Sequence, residues 1–289
     1  MCQGRLPFSI DCKSLKKTIV SALKLPATLP GVRFAHNLVE RRSLLFQLVR
    51  RDFEQRFVGS VAGWVWGVIH PLVLLLSWTF VFSVCLRVQV TDNYPLYLFA
   101  GMLPWLLFSE TVQRSASSLL DQANLITKTV FPAEIVPVSI FLSSLASHVM
   151  ALGLMIVVAL FWLRQMSPAL LLLPAYMALL GCFAVGLGWI VGALQVYVRD
   201  TAQMLSVVLT FWFWLTPIFI TEDRFPPQFR FLLVANPLAY LVRAYRQVLL
   251  SSRLPSGGDF AILALAAVLT LIFGGLLFRY LKRGFADVL

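Results

Sequence analysis

Ser143, Ser144 and Ser147 stand within five residues of His148, the nearest this chain comes to a nucleophile beside a base. An intramembrane hydrolase would need such a pair facing each other across a helix bundle, but no G-x-S-x-G elbow surrounds these serines. His36, His70 and His148 show no H-E-x-x-H spacing, which argues against a metalloprotease. His148, and His70 beside Pro71, read instead as packing residues. The cysteines Cys2, Cys12, Cys85 and Cys182 form neither a close pair nor a metal-ligand spacing, so ordinary thiols are expected, with no metal and no cofactor. The sequence also lacks a G-x-x-x-x-G-K-[ST] phosphate loop and so cannot cradle ATP in that way. What remains are arginines and aromatics, above all the consecutive Phe211, Trp212, Phe213 and Trp214. At about 100° per residue, four such side chains cover most of a helix circumference, so at least one faces the interior of any bundle.

Those residues need a scaffold, and the charge pattern says which kind. Six stretches contain no Asp, Glu, Lys or Arg: 57–86, 93–109, 135–163, 165–198, 201–221 and 260–278, together roughly half of the 289 residues. A helix needs roughly 20 apolar residues to cross a hydrocarbon core of about 30 Å, where an open segment has no other way to satisfy its backbone. The composition agrees, with 59% hydrophobic and 13% charged residues, against roughly 25% charged in soluble chains. The sequence therefore predicts an all-α, polytopic membrane protein with six transmembrane helices, at about 67–87, 94–113, 135–162, 169–195, 201–221 and 260–280. A cytoplasmic tail over 1–40 precedes this domain, and no cleavable signal peptide is expected.

Orientation follows from the positive-inside rule. With both termini in the cytoplasm, seventeen of the 24 Lys and Arg residues fall inside. The net charge of +11 then reads as a topology signal and as contact with anionic lipid, and nucleic acid is not expected as a partner. Before the first span, Leu45, Val49, Phe53 and Phe57 form an i, i+4 ridge of an amphipathic helix lying in the interface, with Arg50, Arg51 and Glu54 turned away. Gly59, Gly63 and Gly67 carry a small-residue ridge onward into that span, and Gly188 and Gly192 form another in the fourth. Glu110 stands four residues before Arg114 and is expected to pair with it. No carboxylate lies at mid-membrane to carry a coupling ion, so the energy for any transport must come from another subunit. FLLVANPLAYLV (231–242) is uncharged but only 12 residues long, too short to span. It fits periplasmic re-entrant half-helices before the last span, the second starting at Asn236-Pro237 with Leu238, Leu241, Val242, Tyr245 and Leu249 on its apolar face.

Four segments carry a resemblance: RDFEQRFVGSVAGWVWGVIHPL (51–72), AGMLPWLLFSETVQRSASSLLDQANLITKTVFPAEIVPVS (100–139), VYVRDTAQMLSVVLTFWFWLTPIF (196–219) and ANPLAYLVRAYRQVLL (235–250). From about residue 40 onward the chain resembles the membrane permeases of type 2 ABC exporters for bacterial polysaccharides, most of all those that export lipopolysaccharide O-antigen. The N-L-x-x-K-x-x-F-P-x-E-x-x-P run (124–137) and WLTPI (214–218) make the resemblance specific. It implies a permease homodimer in the bacterial inner membrane, a cytoplasmic ABC ATPase dimer as partner, and a polyprenyl-pyrophosphate-linked glycan as substrate. It also implies ATPase coupling through the 113–134 loop, at Arg114, Asp121, Asn124, Leu125, Ile126, Lys128, Phe131, Pro132 and Glu134. A glycan path would use aromatic faces, since sugar C–H groups pack on them; Trp78, Tyr97, Trp105 and Phe211 to Trp214 are the candidates, against a plainer reading as packing or lipid-facing rings. Arg51 and Arg56 inside, and Arg243 and Arg246 outside, match the carrier pyrophosphate, against a plainer reading as lipid anchors. Capsule or teichoic acid export, a permease for a small lipid or drug, and an intramembrane lipid-modifying enzyme are the alternatives.

Overall fold

A computed structural model describes residues 41–57, 63–87, 93–128, 131–163, 168–251 and 254–288. The tail expected over 1–40 and Gly59 lie outside them. Every regular element among the described residues is helical. Five helices are long and apolar enough to cross a membrane: Trp66–Cys85, Tyr94–Asp121, Ile135–Trp162, Pro168–Tyr197 and Gly257–Gly284.

Helix α1 (Arg42–Phe57) lies along α5 (Ile135–Leu163), with Leu44, Leu45, Leu48, Val49 and Phe53 half-buried and Arg50, Arg51 and Glu54 exposed. The small-residue ridge expected to run on from α1 is interrupted at Gly63, whose φ of +51° is left-handed. Only glycine takes that conformation cheaply, and here it redirects the chain into α2 (Trp66–Thr79). Over Phe80–Cys85 the first span widens to π-type turns, and Leu86 donates its N–H to the Val81 carbonyl at 2.9 Å. In this span only Pro71 is buried.

Helix α3 (Tyr94–Asp121) is the central post, packed by α5, by α6 (Leu173–Tyr197) and by the later elements. It runs past the expected end at 113 because the hydroxyls of Thr111, Ser115 and Ser118 donate to carbonyls of their own helix, which satisfies a polar stripe while it is buried. The Gly188 and Gly192 ridge on α6 faces that stripe within the same chain: a Cβ added to Gly188 would stand 2.8 Å from Ser115 Oγ. A short helix, α4 (Ala123–Lys128), follows α3.

The expected span 201–221 departs most from expectation. Helix α7 (Thr201–Leu215) stops early, because the residue before a proline is driven out of helical conformation. Thr216, before Pro217, is extended at φ −86° and ψ 133°. Two helices then fold back, α8 (Arg230–Ala235) and α9 (Pro237–Leu250). The apolar face of α9 is buried at Leu238, Leu241, Val242, Tyr245 and Leu249, against α3. The last long helix, α10 (Gly257–Leu281), is capped by Ser256, whose hydroxyl accepts from the Asp259 N–H at 3.1 Å. A final turn, α11 (Phe285–Val288), closes the described chain.

Helices α6 and α10 cross at backbone contact. A Cβ on Gly186 would stand 2.7 Å from the Thr270 carbonyl oxygen, and one on Gly274 would overlap the Gly186 carbonyl. A Cβ on Gly275 meets the Trp189 ring at 3.4 Å, an ordinary contact. Gly274→Ala is therefore expected to lower the heat stability of the detergent-extracted protein by about 1–3 kcal/mol, the cost of overpacking. Gly275→Ala should melt as the wild type does.

Candidate functional site

At one end of the bundle, the break at Pro217 frees carbonyls that no helix satisfies, and Arg246 of α9 collects them. Its Nη1 donates to the Pro217 carbonyl at 2.7 Å, Nη2 to Ile218 at 2.6 Å and Nε to Tyr97 at 3.3 Å. The guanidinium carbon lies 3.6 Å over the Tyr97 ring. Gly101 permits the approach, since a Cβ there would stand 2.7 Å from Nη2. Burial pulls the Arg246 pKa down to about 10, which leaves it cationic at neutral pH. Asn236, between α8 and α9, joins the same break to the next elements. Its Oδ1 accepts from Leu238 N at 3.0 Å and from Trp212 Nε1 at 2.9 Å, while Nδ2 donates to Thr216 Oγ1 at 3.0 Å.

Arg243 clasps two other segments. It holds both Glu222 carboxylate oxygens, at 2.9 and 2.5 Å, and Asp259 Oδ2 at 2.6 Å. The hydrogen bonds it donates to Glu222, opposed by burial and reinforced by Asp259, raise its pKa. Arg243 and Arg246, both expected to meet the carrier pyrophosphate, are engaged by these partners within the chain.

The aromatic candidates divide by packing. Tyr97, under Arg246, and Trp105, against Phe108 and Phe213, are buried in the single-chain core. Trp212 is fixed by Asn236 and stands edge-on to Phe108, and Phe213 sits among Trp78, Trp105 and Phe219. Phe211 is 68% exposed and Trp214 59%, the latter leaning on Phe219. With Met204, Val207 and Val208 they make one outward face of α7.

The opposite end carries a second polar network. Arg56 of α1 reaches Glu110 at 2.5 Å, Ser144 Oγ at 2.9 Å and Asp52 at 3.5 Å, while Arg114 reaches Asp52 at 2.5 Å and Glu110 only at 3.8 Å. The expected Glu110–Arg114 pair is therefore the weaker contact, and each residue finds its closer partner on α1. Burial lowers the Arg56 pKa, with Glu110 opposing. A cavity of about 390 Å³ opens between the first three spans, with Arg56 and Glu110 among its polar lining and Leu103, Leu107 and Pro71 on its apolar side. His148 borders it, with Nε2 engaged by the Tyr245 hydroxyl at 3.2 Å. Arg51 is exposed on α1.

Of the expected coupling residues, Arg114 lies within α3 and faces α1, and Asp121 is the last residue of that helix, exposed. On α4, Asn124 and Leu125 are exposed and Ile126 is half-buried; the Lys128 side chain falls outside the described residues. Phe131 and Pro132 are half-buried, and Glu134 accepts from Lys282 Nζ at 2.8 and 2.9 Å. Nothing local in the sequence marks Lys282 as the partner of Glu134 or Trp212 as a partner of Asn236, because both bonds close over long separations.

Long apolar helices with charges gathered at the bundle ends describe a multi-pass membrane protein. The chain belongs to the ABC-2 type transporter family, whose pattern matches residues 43–250. It is 30% identical over 258 residues to the O-antigen export system permease protein RfbA of Myxococcus xanthus, an alignment covering 89% of this chain and 99% of that protein. The RfbA protein of Klebsiella pneumoniae is 28% identical over 268 residues, covering 90% of this chain and all of its own length. The polysialic acid transport protein KpsM of Escherichia coli is 23% identical over 238 residues, covering 80% and 91%.

Removing Arg246 strands the Pro217 and Ile218 carbonyls. Arg246→Met should lower heat stability by about 3 kcal/mol, on the scale of about 1–3 kcal/mol for each buried acceptor left unpaired. Arg246→Lys should recover less than half of that loss, since an ammonium lacks the planar fork; full recovery in a thermal melt would show that the charge alone suffices.

Proposed function

We propose that this chain is the permease subunit of an ATP-driven exporter that moves a polyprenyl-pyrophosphate-linked polysaccharide, of O-antigen type, across the bacterial inner membrane. The observation that carries the reading is the alignment of about nine tenths of the chain with O-antigen export permeases. The lower similarity to a polysialic acid transporter keeps capsule-type glycans as the second reading. Two copies of the permease enclose the path, and a separate cytoplasmic ATPase dimer supplies the energy. In this reading α7 and the irregular residues after it make the fifth of six spans, α1 lies in the cytoplasmic interface, and α8 and α9 are re-entrant from the periplasm. Arg51 and Arg56, the latter at the cavity, meet the carrier pyrophosphate on the cytoplasmic side.

The ATPase docks on the segment around α4, where Leu125 is 37% exposed. The double variant Leu125→Asp/Ile126→Asp should insert normally but fail to recover the ATPase from detergent extracts, because a charge buried in a small contact is costly. A cysteine at Leu125 should react from the cytoplasmic side, and one at Gly257 from the periplasm. Reaction of both from one side would overturn the orientation.

The outward face of α7 lines the glycan path. Phe211→Ala and Trp214→Ala should then reduce surface display of full-length polymer at normal permease levels. Trp212→Ala should instead reduce the permease level itself, by about 3–5 kcal/mol of stability lost from the packed core. Wild-type polymer display in the Phe211→Ala/Trp214→Ala double variant refutes this lining.

A further inference from the structure

The docking segment is braced from behind by the end of the chain. Glu134 closes the segment, and its side chain takes both oxygens to Lys282 Nζ, 148 residues away. Its backbone carbonyl accepts from the Trp189 indole N–H on α6 at 3.0 Å. From there the contacts run in a closed circuit. Trp189 leans on Phe278 of α10, with ring centroids 6.4 Å apart, and Phe278 meets Phe285 of α11 edge-on at 5.7 Å. Phe285 packs on Tyr197 at the end of α6, and the Tyr197 hydroxyl donates to the Leu281 carbonyl at 2.7 Å, next to Lys282. Phe278 and Phe285 are fully buried, and α11 also lies against α4.

A six-residue helix such as α4 has no rigidity of its own, since isolated helices shorter than about 12–15 residues are marginal. It can deliver a push only if something stiff stands behind it. We propose that Lys282, on the turn after α10, is a positioning residue that ties the docking segment to α6 and α10, so that movement of the ATPase becomes movement of these two helices. This rests on the assignment of the α4 segment as the docking site. Lys282 touches neither substrate nor nucleotide in this role; it acts through Glu134. The pair is partly exposed, with 34% and 27% of the two side chains accessible. Such pairs add little stability, so removing one leaves the fold standing and isolates the mechanical effect.

The test uses the full permease–ATPase complex and measures polymer exported per ATP hydrolysed. Lys282→Ala and Glu134→Gln should each keep wild-type membrane levels and ATPase recovery, hydrolyse ATP, and lose about fivefold or more in export per ATP, the lower range of a coupling factor. The exchange variant Glu134→Lys/Lys282→Glu should regain most of the export. Deuterium uptake over 123–128 should rise in the single variants and fall back in the exchange. Wild-type export per ATP in both single variants, or an exchange variant no better than they are, overturns the proposal. So does a fall in ATPase recovery that matches the fall in export, which would make Lys282 part of the docking contact itself. Failure of the docking assignment is seen separately, as unchanged ATPase recovery in the Leu125→Asp/Ile126→Asp variant.

Discussion

A carbonyl released from a helix in apolar surroundings must find a donor, and the arrangement of one end of this protein follows from that requirement. Pro217 ends α7 and releases the Pro217 and Ile218 carbonyls, and the Arg246 guanidinium is the donor that meets them. Because Arg246 belongs to α9, satisfying these carbonyls seats α9 against α3. Seating α9 puts Arg243 where it can hold Glu222 and Asp259, and so fixes the entry of α10. Asn236 at the start of α9 pins the Trp212 indole and thereby sets the rotation of α7. Once Trp212 and Phe213 face inward, Phe211 and Trp214 must face out. The outward aromatic face is thus a consequence of how one broken helix is capped.

Charge-free runs made the long helices legible, because hydrocarbon excludes unpaired charge whatever the tertiary structure. The apolar face of α9 was legible for the related reason that five residues at helical spacing require burial. Helix ends were less so. α3 outlasts its apolar run since hydroxyls in its last turns bond their own helix, and a hydropathy reading cannot see that compensation. The charged contacts were the least legible. An i, i+4 rule pairs Glu110 with Arg114, yet Asp52 and Arg56 on α1 take the closer positions, and no local window contains α1 and α3 together. Tyr97 and Trp105 illustrate the same limit, since their packing partners, Arg246 and Phe213, are distant in sequence.

The charges are gathered at the two ends, and each cluster there is close to neutral. Arg56 and Arg114 face Asp52 and Glu110 at one end, while Arg243 faces Glu222 and Asp259 at the other. Both ends therefore join elements distant in sequence, and Arg246 is a buried cation met by carbonyls rather than by a carboxylate. The first span is held differently. It buries only Pro71 and widens at its far end, and it meets the core chiefly through Trp78 and Phe82, which pack on Phe213 and Phe219. The bundle thus combines a clasped body, α3 with α6 and α10, and a largely unburied flank.

Helix α10 gives the clasped body its length. Its first turn is bound through Asp259 to Arg243, and the turn after its last residue is bound through Lys282 to Glu134. Between these clasps the helix is locked to α6 by backbone contact at Gly186 and Gly274, where no side chain intervenes to be repacked. A helix of 25 residues spans about 37 Å at 1.5 Å per residue. Helix α10 therefore joins Glu134 at one end to Asp259, and through Arg243 to Glu222 and α9, at the other, the elements that the Pro217 break and Arg246 hold in place.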